Sequence, residues 1–151
     1  MTGKNDLTRL SNEITYHRYM LSHKKAESLY TDISMSEYIA LKHISEHEGE
    51  RVYLKEIADG MDITVQKASK GVRRLRDRGL VTWEHDGNGS DGTYVTITET
   101  GEKLLREQET VLKDYYGRVI EIFGEDRLEE LLELLRELED AMDGALDGKE
   151  A

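Results

Sequence analysis

The sequence contains no cysteine and no proline among its 151 residues. Without cysteine there is no disulfide, no thiolate nucleophile, no sulfur-ligated metal and no thiol redox sensor. The absence of proline excludes proline-rich linkers and favours long, unbroken helices. Apolar runs long enough to cross a bilayer are also missing, and the polar N-terminus shows no signal peptide. We therefore expect a soluble cytoplasmic protein without membrane contact.

Basic residues are scarce relative to acidic ones. Lys and Arg number 21 against 32 Asp and Glu, which gives a net charge of −11. That balance argues against a nucleic-acid partner, because phosphates attract positive charge. The charge is unevenly distributed, however. Residues 51–80 hold eight basic and four acidic side chains, a net +4, whereas residues 1–50 carry −2 and residues 81–151 carry −13.

Apolar residues recur at three- and four-residue spacing over most of the chain, which predicts helices. We place these at 7–30, 36–48, 54–60, 65–78, 101–123 and 127–142, with fraying from residue 143. A capping box from Ser34 to Glu37 begins the second helix, and Gly49 ends it. Thr64 caps the fourth helix and Gly79 ends it.

The third and fourth helices, with a turn at Gly60 and Asp62, have the layout of a helix-turn-helix. The fourth helix would bury Ala68, Gly71 or Val72, and Leu75. Two β-branched runs at 80–83 and 93–98 follow, separated by turn residues at 86–92, and predict a β-hairpin wing.

The outer face of the fourth helix is cationic and polar, as a helix entering the major groove requires. Its outward residues are Gln66, Lys67, Ser69, Lys70, Arg73 and Arg74, followed by Arg76 and Arg78. The alternative is an ordinary solvated face. DNA contact is favoured because, among the outward positions, Asp77 alone is acidic.

The segments 36–44, 54–58, 64–81 and 95–101 together resemble the MarR family of winged helix-turn-helix regulators. The resemblance implies a mainly α fold with a small β-hairpin wing. A single domain over 1–151 would hold a DNA-binding reading head at about 33–100, flanked by dimerisation helices at 7–30 and 101–142. The implied function is that of a homodimeric transcriptional repressor that binds double-stranded DNA and whose DNA binding is modulated by a small effector.

The same resemblance assigns DNA contacts to the fourth helix, and the outward face adds two more. The expected contacts are Thr64, Val65, Gln66, Lys67, Ser69, Lys70, Arg73 and Arg74, with Asn88 from the wing.

The wing departs from the family pattern, which carries an Asp-x-Arg element near the tip. No Lys or Arg lies between Arg78 and Lys103, and the wing contains Glu84, Asp86 and Asp91. Either binding depends on the fourth helix alone, or wing backbone amides and Asn88 contact DNA weakly.

The last helix has leucines along one face and acidic side chains on the opposite face. Residues 125–150 hold eleven acidic and three basic side chains. This pattern favours a dimerising helix, and the alternative is packing within one chain.

An effector site is indicated by tyrosines and one histidine on the helices that line the family's pocket. These residues are Tyr16, His17, Tyr19, Tyr38 and Tyr115, and a small aromatic effector would suit them. Ordinary packing is the alternative for most of them. His43 and His47 have the i, i+4 spacing of a metal site, but two ligands are too few. We expect no metal and no cofactor.

Three other functions compete with this one. A metal-dependent regulator resembling the DtxR family lacks its ligands here. An acidic protein-interaction module, similar to an antirepressor that has lost strong DNA binding, is kept open by the acidic wing. An enzyme is not expected, because no nucleophile–base pair, phosphate loop or paired carboxylate stands out.

Overall fold

The computed structural model describes residues 4–23, 28–47 and 50–150, and these form six α-helices and one small sheet. The helices are α1 (Lys4–His23), α2 (Met35–Glu46), α3 (Leu54–Met61), α4 (Val65–Asp77), α5 (Glu99–Phe123) and α6 (Glu125–Glu150). The strands are β1 (Val52–Tyr53), β2 (Glu84–His85) and β3 (Thr93–Val95), in the order β1-β3-β2. The predicted mainly α fold with a β-hairpin wing is confirmed.

The chain falls into two compact units, Met1–Glu109 and Thr110–Ala151. In the first unit, α2, α3, α4 and the sheet share one apolar core. Its fully buried side chains are Leu41, Ile44, Val52, Ile57, Val72, Leu75 and Val95. Ala68, Val72 and Leu75 are buried as predicted, whereas Gly71 is only half-buried. The three- and four-residue spacing of the buried side chains on α4 therefore determines which face of that helix points to solvent.

The ends of α2 and α4 follow the predicted capping signals. The Glu37 N–H donates to the Ser34 hydroxyl at 3.1 Å, and the Ser34 N–H donates to the Glu37 carboxylate at 2.9 Å. Gly79 has a φ of +75°, and its N–H donates to the Arg76 carbonyl at 2.8 Å. The next N–H, of Leu80, reaches the Leu75 carbonyl at 2.9 Å, which completes a Schellman motif.

Several helix boundaries differ from the predictions, including the starts of α5 at Glu99 and of α6 at Glu125. The first helix begins at Lys4, and residues 28–30 are not α-helical, so its extension to Tyr30 is wrong; residues 24–27 lie outside the described residues. The helix α2 ends at Glu46, and the predicted stop at Gly49 lies outside the described residues. The fraying expected from residue 143 is wrong, because α6 continues to Glu150. A helix-interior glycine costs only about 1 kcal/mol and does not by itself end a helix.

The hairpin is present, but its strands are shorter than predicted and shifted. Glu84 pairs with Tyr94 and His85 with Thr93, while Val81 and Ile97 form an isolated bridge. Between them, the Thr82 N–H donates to the Thr96 carbonyl at 2.9 Å, but the Thr96 N–H donates to the Thr82 hydroxyl at 3.1 Å, so the regular ladder is altered at this pair. The strand β1 was not predicted, and it pairs antiparallel with β3.

The second unit contains the rest of α5 and α6, which meet at Gly124 with a φ of +103°. Large apolar side chains remain exposed along α6: Leu131, Leu132, Leu134, Leu135, Leu138, Met142 and Leu146. In the described part of the chain, no helix combines the length and the apolarity that a membrane span requires.

Candidate nucleic-acid interface

The turn between α3 and α4 is made by Asp62, which has a φ of +54°. The Ile63 N–H then donates to the Ala58 carbonyl at 3.0 Å and closes the turn. Gly60 lies inside α3, so its predicted part in the turn is wrong. A Cβ at Gly60 would lie 3.0 Å from the His43 ring, so glycine allows α3 to approach that ring closely. The turn sets α4 across α3 with its polar face outward.

The predicted contact residues of α4 share one accessible face. Seven are exposed, namely Thr64, Val65, Gln66, Lys67, Lys70, Arg73 and Arg74, and Ser69 is half-buried. Thr64 also has a structural task, because its hydroxyl accepts the Lys67 N–H at 3.2 Å and caps the helix. The structure therefore brings these eight residues together on the helix surface opposite the core.

The cations of α4 differ in whether a carboxylate neutralises them. Arg76 pairs with Asp77 at 3.0 Å, and Arg78 lies 4.0 Å from Glu37 and donates to the Asp32 carbonyl. In the described parts of the chain, the other four cations of the helix have no ion-pair partner: Lys67, Lys70, Arg73 and Arg74. Their charge is available to an external anion, and Arg and Lys are the side chains that most often bind phosphates.

The wing tip is held by its own acidic and histidine side chains. One oxygen of Asp86 accepts the Asn88 N–H at 2.9 Å, and the other accepts the Tyr53 hydroxyl at 2.9 Å. The pKa of Asp86 is lowered, chiefly by the Asn88 N–H and further by Tyr53, while desolvation opposes the shift. The Gly87 N–H donates to Nδ1 of His85 at 2.9 Å. The Asp86 carboxylate thus stabilises the loop, and Asn88 is exposed at the tip.

Two contacts of this interface were not predicted from the sequence. The short β1 pairs with β3 and brings Arg51 over the Tyr94 ring, with 4.6 Å between the guanidinium carbon and the ring centroid. Trp83, on the hairpin, lies against two arginines of α4. A two-residue strand gives no periodicity, and a single tryptophan does not reveal its partner. Only the tertiary structure shows either contact.

The predicted effector residues do not all lie in one environment. Tyr16, His17 and Tyr19 are exposed on α1. Tyr38 is half-buried with its ring 6.2 Å from that of Tyr30, and desolvation raises its pKa, with a further rise from the Glu109 charge. Tyr115 is half-buried in the second unit. The effector pocket stays a prediction.

The two histidines of α2 lie close together, with 4.8 Å between ring centroids. Nδ1 of His47 is 2.9 Å from the His43 carbonyl oxygen, so part of its bonding capacity is used within the helix. Among the described residues, no three His, Asp or Glu side chains are grouped so that they could hold a metal ion.

Comparison with known proteins shows which proteins share this fold. Residues 31–89 match the model of the MarR family. The transcriptional regulator BldR from Sulfolobus solfataricus is 24% identical, with a TM-score of 0.69, over 93% of this chain and 99% of that one. MepR from S. aureus, solved as a DNA complex, is 17% identical with a TM-score of 0.69, over 90% and 97% of the two chains.

A third similar structure is the PcaV transcriptional regulator from Streptomyces coelicolor, solved with its natural ligand. It is 15% identical with a TM-score of 0.67, over 93% of this chain and 94% of that one. No curated protein matches the sequence in the comparison.

Proposed function

We propose that this chain, whose residues 31–89 match the MarR family model, is a DNA-binding transcriptional regulator of that family, and that it acts as a homodimeric repressor whose α4 binds the major groove of duplex DNA. The observation that carries the proposal is the exposed face of α4, where four cations have no carboxylate partner in the described residues. Phosphate neutralisation releases counterions and supplies much of the affinity of such interfaces.

The proposed base contacts lie at the start of α4, at Val65, Gln66 and Ser69. Lys67, Lys70, Arg73 and Arg74 bind phosphates and fix the register of the helix. Because residues 81–151 carry −13, the rest of the molecule repels DNA and weakens non-specific binding. Specific binding then depends on the fit of α4 in the groove.

The homodimer is supported by apolar surface that one chain leaves exposed. On α6, Leu131, Leu135, Leu138 and Met142 follow the alternating three- and four-residue spacing of a helix–helix seam. On α1, Leu7 and Leu21 are 62% and 73% exposed. Apolar side chains exposed along one helix face are typical of a protein–protein interface. Dimers of this motif place two recognition helices about 34 Å apart, which matches successive major grooves and a pseudo-palindromic site.

We infer repression rather than activation, because a repressor needs only to bind DNA and so occupy a promoter. A small aromatic effector that contacts Tyr16, His17, Tyr19, Tyr38 and Tyr115 would regulate it. PcaV, which shares the fold, was solved with a natural ligand. The assignment of the pocket to these residues is part of the proposal.

Fluorescence anisotropy with a mixed duplex pool at about 50 and 200 mM salt tests the DNA function. We expect affinity to fall steeply with salt, and Lys70→Ala to reduce the slope by about 0.9 for the lost phosphate contact. Lys103→Ala, at an exposed lysine of α5, is the matched control and should leave the slope unchanged. If the wild type does not bind DNA at the lower salt concentration, the proposal fails, and an acidic protein-interaction module becomes the better description of the function.

A further inference from the structure

Trp83 is the single tryptophan of the chain, and it lies on the hairpin between the Val81–Ile97 bridge and β2. It is half-buried, and its ring is turned toward α4. The guanidinium carbons of Arg73 and Arg76 each lie 5.3 Å from the ring. Tryptophan is the aromatic side chain that attracts cations most strongly. The wing therefore contacts the proposed DNA-binding helix through this one side chain.

The two arginines on this ring are not equivalent. The Nε and Nη2 atoms of Arg76 donate to the Asp77 carboxylate at 3.1 and 3.0 Å, so its charge is already compensated. Arg73 has no carboxylate partner in the described residues. A guanidinium stacked on an indole keeps the N–H groups at its edge free to donate. Arg73 is thus the one of the pair that can bind a phosphate.

A groove runs between α4 and the wing, and Arg73 and Trp83 line it. The other residues along it include Val65, Gln66, Ser69, Lys70 and Thr93. Four of these are on the proposed DNA-binding face of α4. A phosphate in this groove would meet Lys70 and Arg73 from the helix side.

We propose that Trp83 is a positioning residue for DNA binding, which holds the Arg73 guanidinium at the groove before DNA arrives. This inference rests on the proposed function. A free arginine loses rotamer freedom when it binds a phosphate, and a side chain ordered in advance loses less. The wing then contributes to affinity through Arg73 and needs no arginine at its tip. This accounts for a wing that has no Lys or Arg between Arg78 and Lys103.

A double-mutant cycle on duplex binding tests the proposal with the full chain. We expect Trp83→Leu to weaken binding about five- to tenfold, as does Arg73→Ala. In the Arg73→Ala background, Trp83→Leu should change affinity less than twofold. In the Lys67→Ala background, which alters the opposite flank of α4, the full effect of Trp83→Leu should remain. Trp83→Phe should restore part of the affinity, because phenylalanine retains a weaker cation–π surface.

The intrinsic fluorescence of the single tryptophan gives a second readout in the free protein. Arg73→Ala should change the emission of Trp83, and Lys67→Ala should not. Thermal unfolding, followed by circular dichroism, shows which variants fold. If Trp83→Leu does not fold, the binding of Trp83→Phe is used to test the proposal instead.

Three results overturn the inference. Equal losses from Trp83→Leu in the wild-type and Arg73→Ala backgrounds would show that Trp83 acts without Arg73. Unchanged binding by Trp83→Leu would show that the ring does not contribute. If the wild type binds normally and either result is found, the positioning role fails alone. If the wild type binds no duplex at low salt, the proposed function fails and the inference fails with it.

Discussion

A Cβ atom at Gly101 would overlap the carbonyl oxygen of Leu80, so glycine allows the start of α5 to lie directly against the residues that follow α4. Thr98 joins the same elements, because its N–H donates to the Leu80 carbonyl at 3.0 Å and its hydroxyl donates to the Gly79 carbonyl at 2.7 Å. The Gly101 N–H in turn donates to the Thr98 hydroxyl at 3.1 Å. The residues that follow α4 are therefore fixed to the start of α5 by the Thr98 hydrogen bonds and by a close approach at Gly101 that leaves no space for a side chain.

Gly101→Ala should lower the free energy of unfolding by about 1–3 kcal/mol, because the added methyl group also meets the Ile97 side chain at 2.9 Å. Urea denaturation followed by circular dichroism measures this. Gly71→Ala is the control, since a Cβ there has no heavy atom within 4 Å, and a helix-interior alanine is favoured over glycine by roughly 0.5–1 kcal/mol. A Gly101→Ala protein as stable as the wild type would contradict the close contact.

The tip of the wing should contribute little to DNA affinity. Asn88 is exposed on a loop whose conformation is held by its own Asp86 and His85 side chains. We expect Asn88→Lys and Asn88→Asp each to change the dissociation constant less than twofold, because a charge far from phosphates is screened by salt within about 10 Å. Gln66→Glu, on α4, should weaken binding at least tenfold by like-charge repulsion. Opposite effects of the Lys and Asp substitutions at Asn88 would instead place the tip against the DNA backbone.

The contact between α2 and α5 should make stability fall at high pH. Nζ of Lys42 lies 3.0 Å from a carboxylate oxygen of Glu109, and this hydrogen bond raises the lysine pKa above 10.5, with desolvation opposing it. A raised pKa in the folded state gives a contribution that is complete below the unfolded value and is lost as pH rises through the folded value. Burial and the Glu109 charge also raise the pKa of Tyr38 above 10.0, so its ionisation acts in the same direction.

Glu109→Gln should therefore cost at most about 1 kcal/mol near neutral pH, as exposed ion pairs do, and the difference from wild type should shrink above pH 10.5. Urea midpoints measured over the pH range test this, with Glu107→Gln as the control at an exposed carboxylate of the same helix. A difference that grows with pH would exclude the assigned role of Lys42.

The sequence predicted those parts of the head whose cause is local. The burial of Ala68 and Leu75, the Ser34 capping box and the αL glycine at 79 follow from spacing and backbone preference over a few residues. The strand β1 could not be predicted, because Val52 is a strand residue only through pairing with Val95, 43 positions later.

The same reason hid the wing contacts. Trp83 and Arg73 belong to different elements, and neither side chain signals the other in the sequence. For Gly60, the sequence suggested a turn, whereas the residue serves packing against His43, a contact decided by the crossing of two helices. Local signals thus predict helices and their ends, while the partners of each side chain depend on tertiary structure.

The seam of α6 gives a decisive test of the dimer. Leu131 and Leu138 lie on the same side of the helix, two turns apart, and are 42% and 39% exposed. Leu131→Glu combined with Leu138→Glu puts two charges into the seam, and burying unpaired carboxylates costs far more than the leucines contribute. Sedimentation velocity should then find a species of 17.4 kDa, whereas we expect about twice that mass for the wild type.

Arg136→Glu is the matched control, because it changes the net charge by the same two units on the opposite side of α6. We expect it to remain dimeric, which separates a broken seam from general charge repulsion between two acidic chains. The seam variant should also bind a duplex with two half-sites no more tightly than one with a single half-site, since it presents one recognition helix at a time. A double-glutamate protein that still sediments as a dimer would show that these leucines do not form the dimer interface, which would then have to be sought on α1.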